Sequence, residues 1–544
     1  MLQRLWLYCQ KLPAAALLGL LVFMLYSRVL WFPFVSWDDP QYLVLNPTII
    51  EFSPASLWNI FTSLDPFHEL YAPLAFLTYQ FEYQIAGLQP FLYHFDNILL
   101  HAANAYLVFV FLARMSRSKA VGFVSAVMFA VHPLNVEAVA WVSARKDLLS
   151  AACALGSLLF YKQYLDHRRR WTFLGSLLLF ALSLFSKISA VLLPLVLLLL
   201  DWMGGRRLNK RCLLEKMPFF LISLAFGIVA LFGKSDVQVA LSLGERSLLT
   251  FKGIFFAIAK ILWPHPLSIV YPVSDVSLLK PSILAPIILL GSVYLWAWRK
   301  KHLTRAAITG LLMALFLLFP SVLVPKLAGV YAFPSDKYLY LPMIGVFFSL
   351  GAIYRSWVTH TQPLFRRTAV ASVTLICSIL FLLTFLRLPV WSVNTLLYRN
   401  ALEHFPNVAR IHYNLGVELS GIRQEQHQVE EAFRHAIALQ PDYINAYVNL
   451  GVALMKQGRK EEGITALRQA LLLDPGHVTA HDVLGSAYLD RGEIDKAIEE
   501  FKAAISTDSG FVRAHYNLIS AYMKKGMFQE AQEETRMLLK LENK

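Results

Sequence analysis

The chain has 544 residues, of which 57% are hydrophobic, and a mean hydropathy of +0.50, which is too apolar for an ordinary soluble protein. Its formal net charge of +14 does not indicate a nucleic-acid-binding protein, because 16 of the 50 basic but 20 of the 36 acidic residues lie in residues 401–544. The first 400 residues therefore hold 34 basic and 16 acidic residues. Such a surplus is typical of the cytoplasmic loops of a membrane protein.

Apolar runs of membrane-spanning length recur from Leu12 to Leu386. The first run is predicted to be a retained anchor, because it is long and lacks the small-residue cleavage site of a signal peptide. If the clusters of Lys and Arg all face the cytoplasm, about eleven crossings connect them. The predicted crossings are residues 12–34, 95–113, 119–136, 147–165, 171–187, 188–203, 216–233, 282–298, 305–323, 338–355 and 368–386.

An odd number of crossings places the N-terminus in the cytoplasm and everything after Leu386 outside, in the periplasm of a bacterium or in the ER lumen. The first outer loop then covers residues 35–94. Only Asp166, Asp201 and Glu215 among the 16 acids of this part face the cytoplasm. The acids and histidines therefore collect on the outer face, where they could line one cavity.

Residues 248–263 are predicted to form an amphipathic helix at the membrane interface, with Lys252 and Lys260 eight residues apart. Counting this segment as a crossing would place the basic cluster at residues 299–305 outside. The interfacial assignment keeps that cluster in the cytoplasm.

From about residue 409 the sequence changes to helical repeats of about 34 residues. The motifs HYNLG, YVNLG, HDVLG and HYNLI recur, and the aligned small or packing positions are Gly416, Gly451, Gly485, Ala436, Ala470, Ala504, Phe433, Leu467 and Phe501. This pattern predicts four tetratricopeptide (TPR) repeats over residues 409–544, stacked as an α-solenoid. Residues 387–408 are predicted to form a linking helix between a membrane domain, residues 1–386, and the repeats.

Two adjacent carboxylates, Asp38 and Asp39, follow the first apolar run. Carboxylates near a membrane need partners or water, and a solvated loop is the structural alternative. A carboxylate at this place suits glycosyl transfer from a lipid-linked sugar, as the general base for the acceptor hydroxyl. By analogy with inverting glycosidases, we expect a single displacement with inversion. The cations predicted to stabilise the departing phosphate are Arg145, Lys146, Lys187 and Lys337.

The remaining candidates share the predicted outer face and are Glu69, His94, His132, Glu137, Asp147, Asp336 and Tyr338. Several have structural alternatives: Arg145 and Lys146 as lipid-headgroup anchors, an Asp336–Lys337 pair, and a helix cap at His132. A divalent metal on the two aspartates is open, because hard cations prefer carboxylates, although their spacing does not require one. The irregular spacing of the four cysteines predicts neither a disulfide framework nor a zinc site.

Five stretches followed by the repeats resemble a known family. They are FVSWDDPQYLVLNP, LYAPLAFLTYQFEYQIAGLQPFLYHFDNILLHAANAYLVF, VHPLNVEAVAWVSARKDLLS, SKISAVLLPLVLLLLDW and SDKYLYLPMIG. The order and the motifs resemble the transmembrane and TPR-containing O-mannosyltransferase family over nearly the whole chain. The resemblance implies a C-type glycosyltransferase (GT-C) fold, a polyprenyl-phosphate sugar as donor, Ser/Thr hydroxyls of proteins as acceptors and repeats on the periplasmic or lumenal side. It also implies that Asp38 and Asp39 are the family's acidic pair, and that Arg145 and Asp147 belong to its outer-loop motif.

The chain departs from the family pattern at three places. Lys187 is followed by Ile188 and not by an acid, Ala72 replaces an arginine, and Lys337 replaces another. Because Lys lacks the bidentate phosphate recognition of Arg, the sugar is left open between mannose and others. The predicted partners are the sugar-carrying lipid, an acceptor protein held by the repeats and membrane lipid, with no nucleic acid.

Two other functions are alternatives. The first is a non-enzymatic, membrane-anchored TPR scaffold for outer-face complexes, which would need neither the acids nor the membrane-level basic groups. The second is a transporter, which is less favoured because matching Gly/Pro-broken segments are missing from the two halves of the sequence.

Overall fold

The computed structural model describes residues 13–62, 71–232, 242–274, 279–323, 326–327, 330–358 and 363–542. The chain divides into two compact units, Met1–Leu397 and Tyr398–Lys544. The boundary falls inside the predicted linking segment, where a helix covers Asn394–His404. The predicted all-α class is confirmed, since the described ranges are almost entirely helical.

Each predicted crossing coincides with a helix of the first unit. These helices are Ala14–Tyr26, Pro90–Ser116, Lys119–Ala130, Arg145–His167, Arg170–Ser186, Leu193–Met203, Met217–Phe232, Pro281–Arg299, Arg305–Val322, Pro342–Val358 and Pro363–Arg387. Within the described ranges, five helical segments are long and apolar enough to cross a membrane: Ala14–Trp31, Pro90–Ser116, Pro281–Arg299, Arg305–Val322 and Arg367–Trp391. The number of crossings stays a prediction.

Short helices fill the first predicted outer loop and other connections between the long helices. They are Pro47–Ile50, Pro54–Thr62, Pro73–Ala86, Asn135–Ala140, Lys210–Glu215 and the π-helical turn Pro40–Val44. Several begin with proline, whose missing N–H costs nothing in the first turn of a helix. The Gln80 side chain fastens this segment by donating to the Glu51 carbonyl at 2.8 Å and to Ser56 Oγ at 2.8 Å. Residues 35–62 are therefore packed structure rather than extended loop.

The predicted interfacial segment lies in the helix Leu243–Leu262. Ser242 and Glu245 form a capping box at its start, which satisfies two of the free backbone N–H groups. Phe256 stacks on Phe333, with 4.9 Å between the ring centroids. Phe333 belongs to a small antiparallel sheet of Tyr271–Pro272, Val330–Phe333 and Lys326–Leu327, with Val330–Phe333 in the middle.

Two glycines, Gly310 and Gly345, allow two helices of the first unit to approach each other closely. A Cβ added to Gly310 would lie 2.6 Å from the Gly345 carbonyl oxygen, and one added to Gly345 would lie 2.5 Å from Gly310 O. Helices Arg305–Val322 and Pro342–Val358 therefore meet backbone to backbone, as small residues allow in membrane helix pairs.

After the end of helix Asn394–His404, the described part of the second unit contains eight helices in four consecutive pairs. They are Ala409–Leu419, Gln426–Leu439, Ile444–Lys456, Lys460–Leu473, Val478–Asp490, Ile494–Thr507, Val512–Lys525 and Phe528–Glu542. The aligned glycines lie against the aligned large residues of the next helix: a Cβ on Gly416 would lie 2.7 Å from the Phe433 ring. A 3₁₀ turn at Arg423–Glu425 lies between the first two helices of the array.

Candidate active site

Asp39 is fully buried and links two distant segments. Its Oδ2 accepts the Val35 N–H at 2.8 Å, and its Oδ1 accepts the Ser143 N–H at 2.9 Å and the Ser143 hydroxyl. Burial raises the pKa of Asp39 to about 6, although the donors from Ser143 and Val35 oppose that rise. Because both oxygens are engaged, Asp39 holds the segment in place and is poorly placed to take a proton from a substrate.

Asp38, the other acid of the pair, is half-buried. Within the described part of the chain, its carboxylate accepts no hydrogen bond and has no cationic nitrogen within 4.0 Å. It still interacts electrostatically with Lys146 and Lys337, since its charge supports the protonated form of both. Asp38 is therefore the carboxylate that is available to a substrate.

Lys146 lies on the second predicted outer segment, in the first turn of helix Arg145–His167, and is 6% exposed. Its Nζ lies over the Tyr42 ring, 4.5 Å from the centroid. Burial lowers its pKa, and the Asp38 carboxylate is the strongest influence in the opposite direction. No carboxylate among the described residues lies within 4.0 Å of this ammonium group. Asp38 and Lys146 are thus an oppositely charged pair of side chains that interact electrostatically but lie more than 4.0 Å apart.

Two ion pairs border Asp38 and Lys146. Lys187 Nζ contacts Asp147 Oδ1 at 2.5 Å, and Lys337 Nζ contacts Glu137 Oε1 at 3.3 Å. Tyr338 connects them, because its ring centroid lies 4.1 Å from Lys187 Nζ and 5.6 Å from Lys337 Nζ. We call the set of seven residues the acid–lysine cluster: Asp38, Glu137, Lys146, Asp147, Lys187, Lys337 and Tyr338.

A pocket adjoins the acid–lysine cluster. It is lined by Trp37, Glu137, Trp141, Ile269, Lys337, Trp391 and Leu397. Trp141 and Trp391 stack with 6.1 Å between their centroids, and Lys337 Nζ lies 3.8 Å from the Trp141 ring centroid. Within the described ranges neither of these two indole N–H groups has a hydrogen-bond partner. We call this the tryptophan pocket.

Arg145 lies apart from the acid–lysine cluster and is 1% exposed. Its guanidinium forms an ion pair with Glu82 and donates to Asn97 Oδ1 at 2.9 Å and to the Tyr93 carbonyl at 2.7 Å. The charge also lies 4.7 Å from the Tyr79 ring centroid. The geometry gives Arg145 a structural role and does not support its predicted contact with a donor phosphate.

Three further candidates among the described residues do not join the acid–lysine cluster. His94 Nε2 donates to the Phe32 carbonyl at 3.1 Å, and His132 Nε2 donates to the Ile261 carbonyl at 3.0 Å. Asp336 accepts the Tyr271 hydroxyl at 2.6 Å, not a bond from its neighbour Lys337, and burial raises its pKa. Glu69 lies outside the described residues.

The donor set does not fit a divalent metal. Such a cation needs several oxygen ligands, yet both oxygens of Asp39 already accept hydrogen bonds. No group of three or more His, Cys, Asp or Glu side chains in the described ranges could hold a metal ion. We therefore derive no step that passes through a metal.

Sequence reasoning missed the partners that organise the site. Glu82, Asn97 and Ser143 position the candidate residues from 63, 48 and 104 residues away along the chain. One signal was present: Glu82 is an acid among aromatic residues in LYAPLAFLTYQFEYQ, where a buried carboxylate needs a cation.

The fold defines an all-α protein that joins apolar, membrane-length helices to a TPR array. Residues 444–477 match the tetratricopeptide repeat family, and residues 485–526 match the TPR repeat family. The array is thus a TPR domain. A similar solved structure, that of the MamA protein, is 30% identical and covers 28% of this chain and 81% of its own, with a TM-score of 0.26.

The relatives include the protein O-mannosyl-transferase F38B6.6 of Caenorhabditis elegans, which is 24% identical over 75% of this chain and 60% of its own length. The human protein O-mannosyl-transferase TMTC1 is 24% identical over 80% of this chain and 56% of its own length. The chain thus spans about 60% of the curated relatives that it matches. These relatives confirm the resemblance to the transmembrane and TPR-containing O-mannosyltransferase family.

Proposed function

We propose that this protein transfers a sugar, mannose or another, from a polyprenyl-phosphate donor to a Ser or Thr hydroxyl of a protein. The relatives' names support protein O-mannosyl transfer as the reaction class. The observation that carries the proposal is that Asp38 and Lys146 interact electrostatically but lack ion-pair partners among the described residues. An unpaired carboxylate suits an acceptor hydroxyl, and an unpaired cation suits a phosphate.

The reaction is a single displacement. The acceptor hydroxyl gives its proton to the Asp38 carboxylate while its oxygen forms a bond to the anomeric carbon of the donor. The bond between that carbon and the phosphate oxygen breaks, and its electron pair leaves with the polyprenyl phosphate. Attack from the face opposite the leaving group inverts the configuration at the anomeric carbon.

The leaving phosphate gains one negative charge, so cations must be in place before the bond breaks. Lys146 is the first candidate, because it has no carboxylate within 4.0 Å in the described part of the chain. Lys337 and Lys187 are already paired with Glu137 and Asp147, which offset their charges.

The tryptophan pocket is too small for the sugar, because its volume of about 10 Å³ is the room of about one water molecule. The TPR repeats then serve to hold the acceptor protein, and the site faces the periplasm or the ER lumen. This orientation follows from the predicted crossings and from the family resemblance.

The test is a transfer assay with the full chain in nanodiscs, using a panel of polyprenyl-phosphate sugars labelled in the sugar and an extracted protein acceptor. Asp38→Asn should lower kcat by about 10²- to 10⁴-fold, the usual contribution of a general base. Asp166→Asn is the matched control, because Asp166 is an exposed acid paired with Lys162. The control should retain wild-type transfer.

Full transfer by the Asp38→Asn variant would remove Asp38 as the base. No transfer from any donor by the folded wild type would overturn the proposal. In that case the scaffold alternative becomes the better account, and it requires that residues 398–544 alone bind the partners of the full chain.

A further inference from the structure

A second polar cluster lies away from the proposed catalytic site, where helix Arg145–His167 ends and helix Arg170–Ser186 begins. Asp201 is completely buried, and its carboxylate pairs with Lys216 and, at 3.2 Å, with Arg206. Glu215 pairs with Arg206 at 2.6 Å and with Lys216 at 2.9 Å. The four charges offset each other, so this buried ionic cluster is electrically neutral.

The cationic side chains around this neutral cluster are not offset. Six exposed side chains make no ion pair with any described residue, and they are Arg168, Arg169, Arg170, Arg207, Lys210 and Arg211. Asp166, the nearby exposed acid, is already paired with Lys162. This end of the unit therefore carries six exposed positive charges without ion-pair partners among the described residues.

A pocket of about 400 Å³ opens among these charges. It is lined by Tyr164, Arg170, Phe173, Leu174, Leu214, Glu215 and Pro218. Glu215 does not oppose an anion, because Arg206 and Lys216 already offset its charge. Arg170 is the lining residue with an uncompensated charge, and the other walls are aromatic or aliphatic.

We propose that this pocket binds one anionic phospholipid of the bilayer, with the headgroup phosphate at Arg170 and the first acyl carbons against Phe173 and Leu174. The chemistry fits because guanidinium groups donate paired hydrogen bonds to phosphate. Basic pockets between apolar helices at the membrane surface are suited to such headgroups. None of the lining residues belongs to the acid–lysine cluster, so the lipid site does not depend on glycosyl transfer.

Anionic phospholipid is favoured over other occupants by charge and by the shape of the lining. A zwitterionic headgroup would bring its own cation towards six unpaired basic residues. Inorganic phosphate would leave the aromatic and aliphatic walls exposed to water, at a cost set by the apolar area.

The test reconstitutes the full chain in nanodiscs of equal phosphatidylglycerol and phosphatidylcholine and counts the lipids retained after transfer to detergent by native mass spectrometry. The wild type should retain phosphatidylglycerol preferentially. Arg170→Gln should lower that preference about fivefold, the effect of one basic residue at a lipid surface. Leu174→Trp should lower it by filling the pocket without changing the charge.

The matched control is Arg299→Gln, which removes an exposed cation that does not line the pocket. It should keep the wild-type preference. An equal loss in this control would show attraction by net charge alone and would overturn the site. So would equal retention of both lipids, displacement of phosphatidylglycerol by millimolar inorganic phosphate, or preferential displacement by polyprenyl phosphate.

Discussion

The Asp39 carboxylate accepts the backbone N–H of Ser143 at 2.9 Å across 104 residues of chain. Asp39 adjoins the candidate base Asp38, and Ser143 precedes the candidate cation Lys146 by three residues. This contact, together with the Ser143 hydroxyl bond to the same oxygen, fixes the segment of the base relative to the segment of the cation. Asp39 is therefore a positioning residue, and the two members of the acidic pair have different tasks.

That division predicts different results for the two amide variants. In Asp39→Asn, an NH₂ group replaces one of the two carboxylate oxygens and faces the N–H group of Val35 or of Ser143, so that N–H loses its acceptor. We therefore expect the variant to lower the free energy of unfolding by about 1–3 kcal/mol. Asp38→Asn removes a carboxylate without hydrogen-bond partners in the described ranges and should leave stability within about 0.5 kcal/mol. Thermal unfolding in nanodiscs measures both, and equal losses of stability would contradict the division.

The pH dependence of stability gives an independent measurement of Asp39. Its pKa is raised in the folded protein to about 6, whereas the ordinary value is 3.8. The folded state therefore holds the proton more tightly, and this contribution is complete below about pH 4 and is lost as the pH rises towards 6. We expect the wild type to lose stability relative to Asp39→Asn across that interval, and a flat difference between the two would contradict the raised pKa.

The sequence was sufficient for the parts of the fold that depend on local pattern. Hydrophobic runs locate a helix at each predicted crossing, and repeat spacing locates the helix pairs of the TPR array. The sequence also placed Asp38, Lys146 and Lys337 on one predicted face, because charges near a membrane are costly without partners.

The sequence could not assign tasks within the site. Whether a buried cation is available depends on partners that are far away in the chain, such as Glu82 for Arg145 and Glu137 for Lys337. Arg145 and Lys146 are adjacent in sequence but lie on different sides of the helix, so one forms an internal ion pair and the other contacts Tyr42. From residue type alone, Arg145 and Lys146 were both predicted to bind phosphate.

Lys146 should affect the reaction more than the fold. Lys146→Gln removes the cation proposed to stabilise the leaving phosphate, and we expect kcat to fall about 10²- to 10³-fold, the loss seen when one such stabilising group is removed. Lys146→Arg should restore part of the rate, because it restores the charge. Lys162→Gln, on the same helix but paired with an exposed Asp166, is the matched control. Equal rates for Lys146→Gln and the control would exclude the phosphate role.

Arg145 should affect the fold more than the reaction step. Arg145→Met leaves the Glu82 carboxylate buried without its cation, and breaking such a pair costs about 3–5 kcal/mol. The double variant Arg145→Met with Glu82→Met removes both charges and should recover much of that loss. Chemical denaturation of the purified chain measures the three proteins. A double variant no more stable than Arg145→Met would contradict the ion pair as the cause.

The glycine positions in the TPR repeats give a test of packing in the second unit. A Cβ added to Gly485 would lie 2.7 Å from the buried Phe501 ring, whereas one added to Gly421 would meet nothing within 4 Å. Gly485→Ala should therefore force Phe501 to move and destabilise the repeats by about 1–3 kcal/mol. Gly421→Ala should be neutral. Hydrogen exchange of the full chain should show faster amide exchange in helices Val478–Asp490 and Ile494–Thr507 for Gly485→Ala only. Unchanged exchange in these two helices would mean that the repeats accommodate the methyl group and that the recurring glycine is not required by packing.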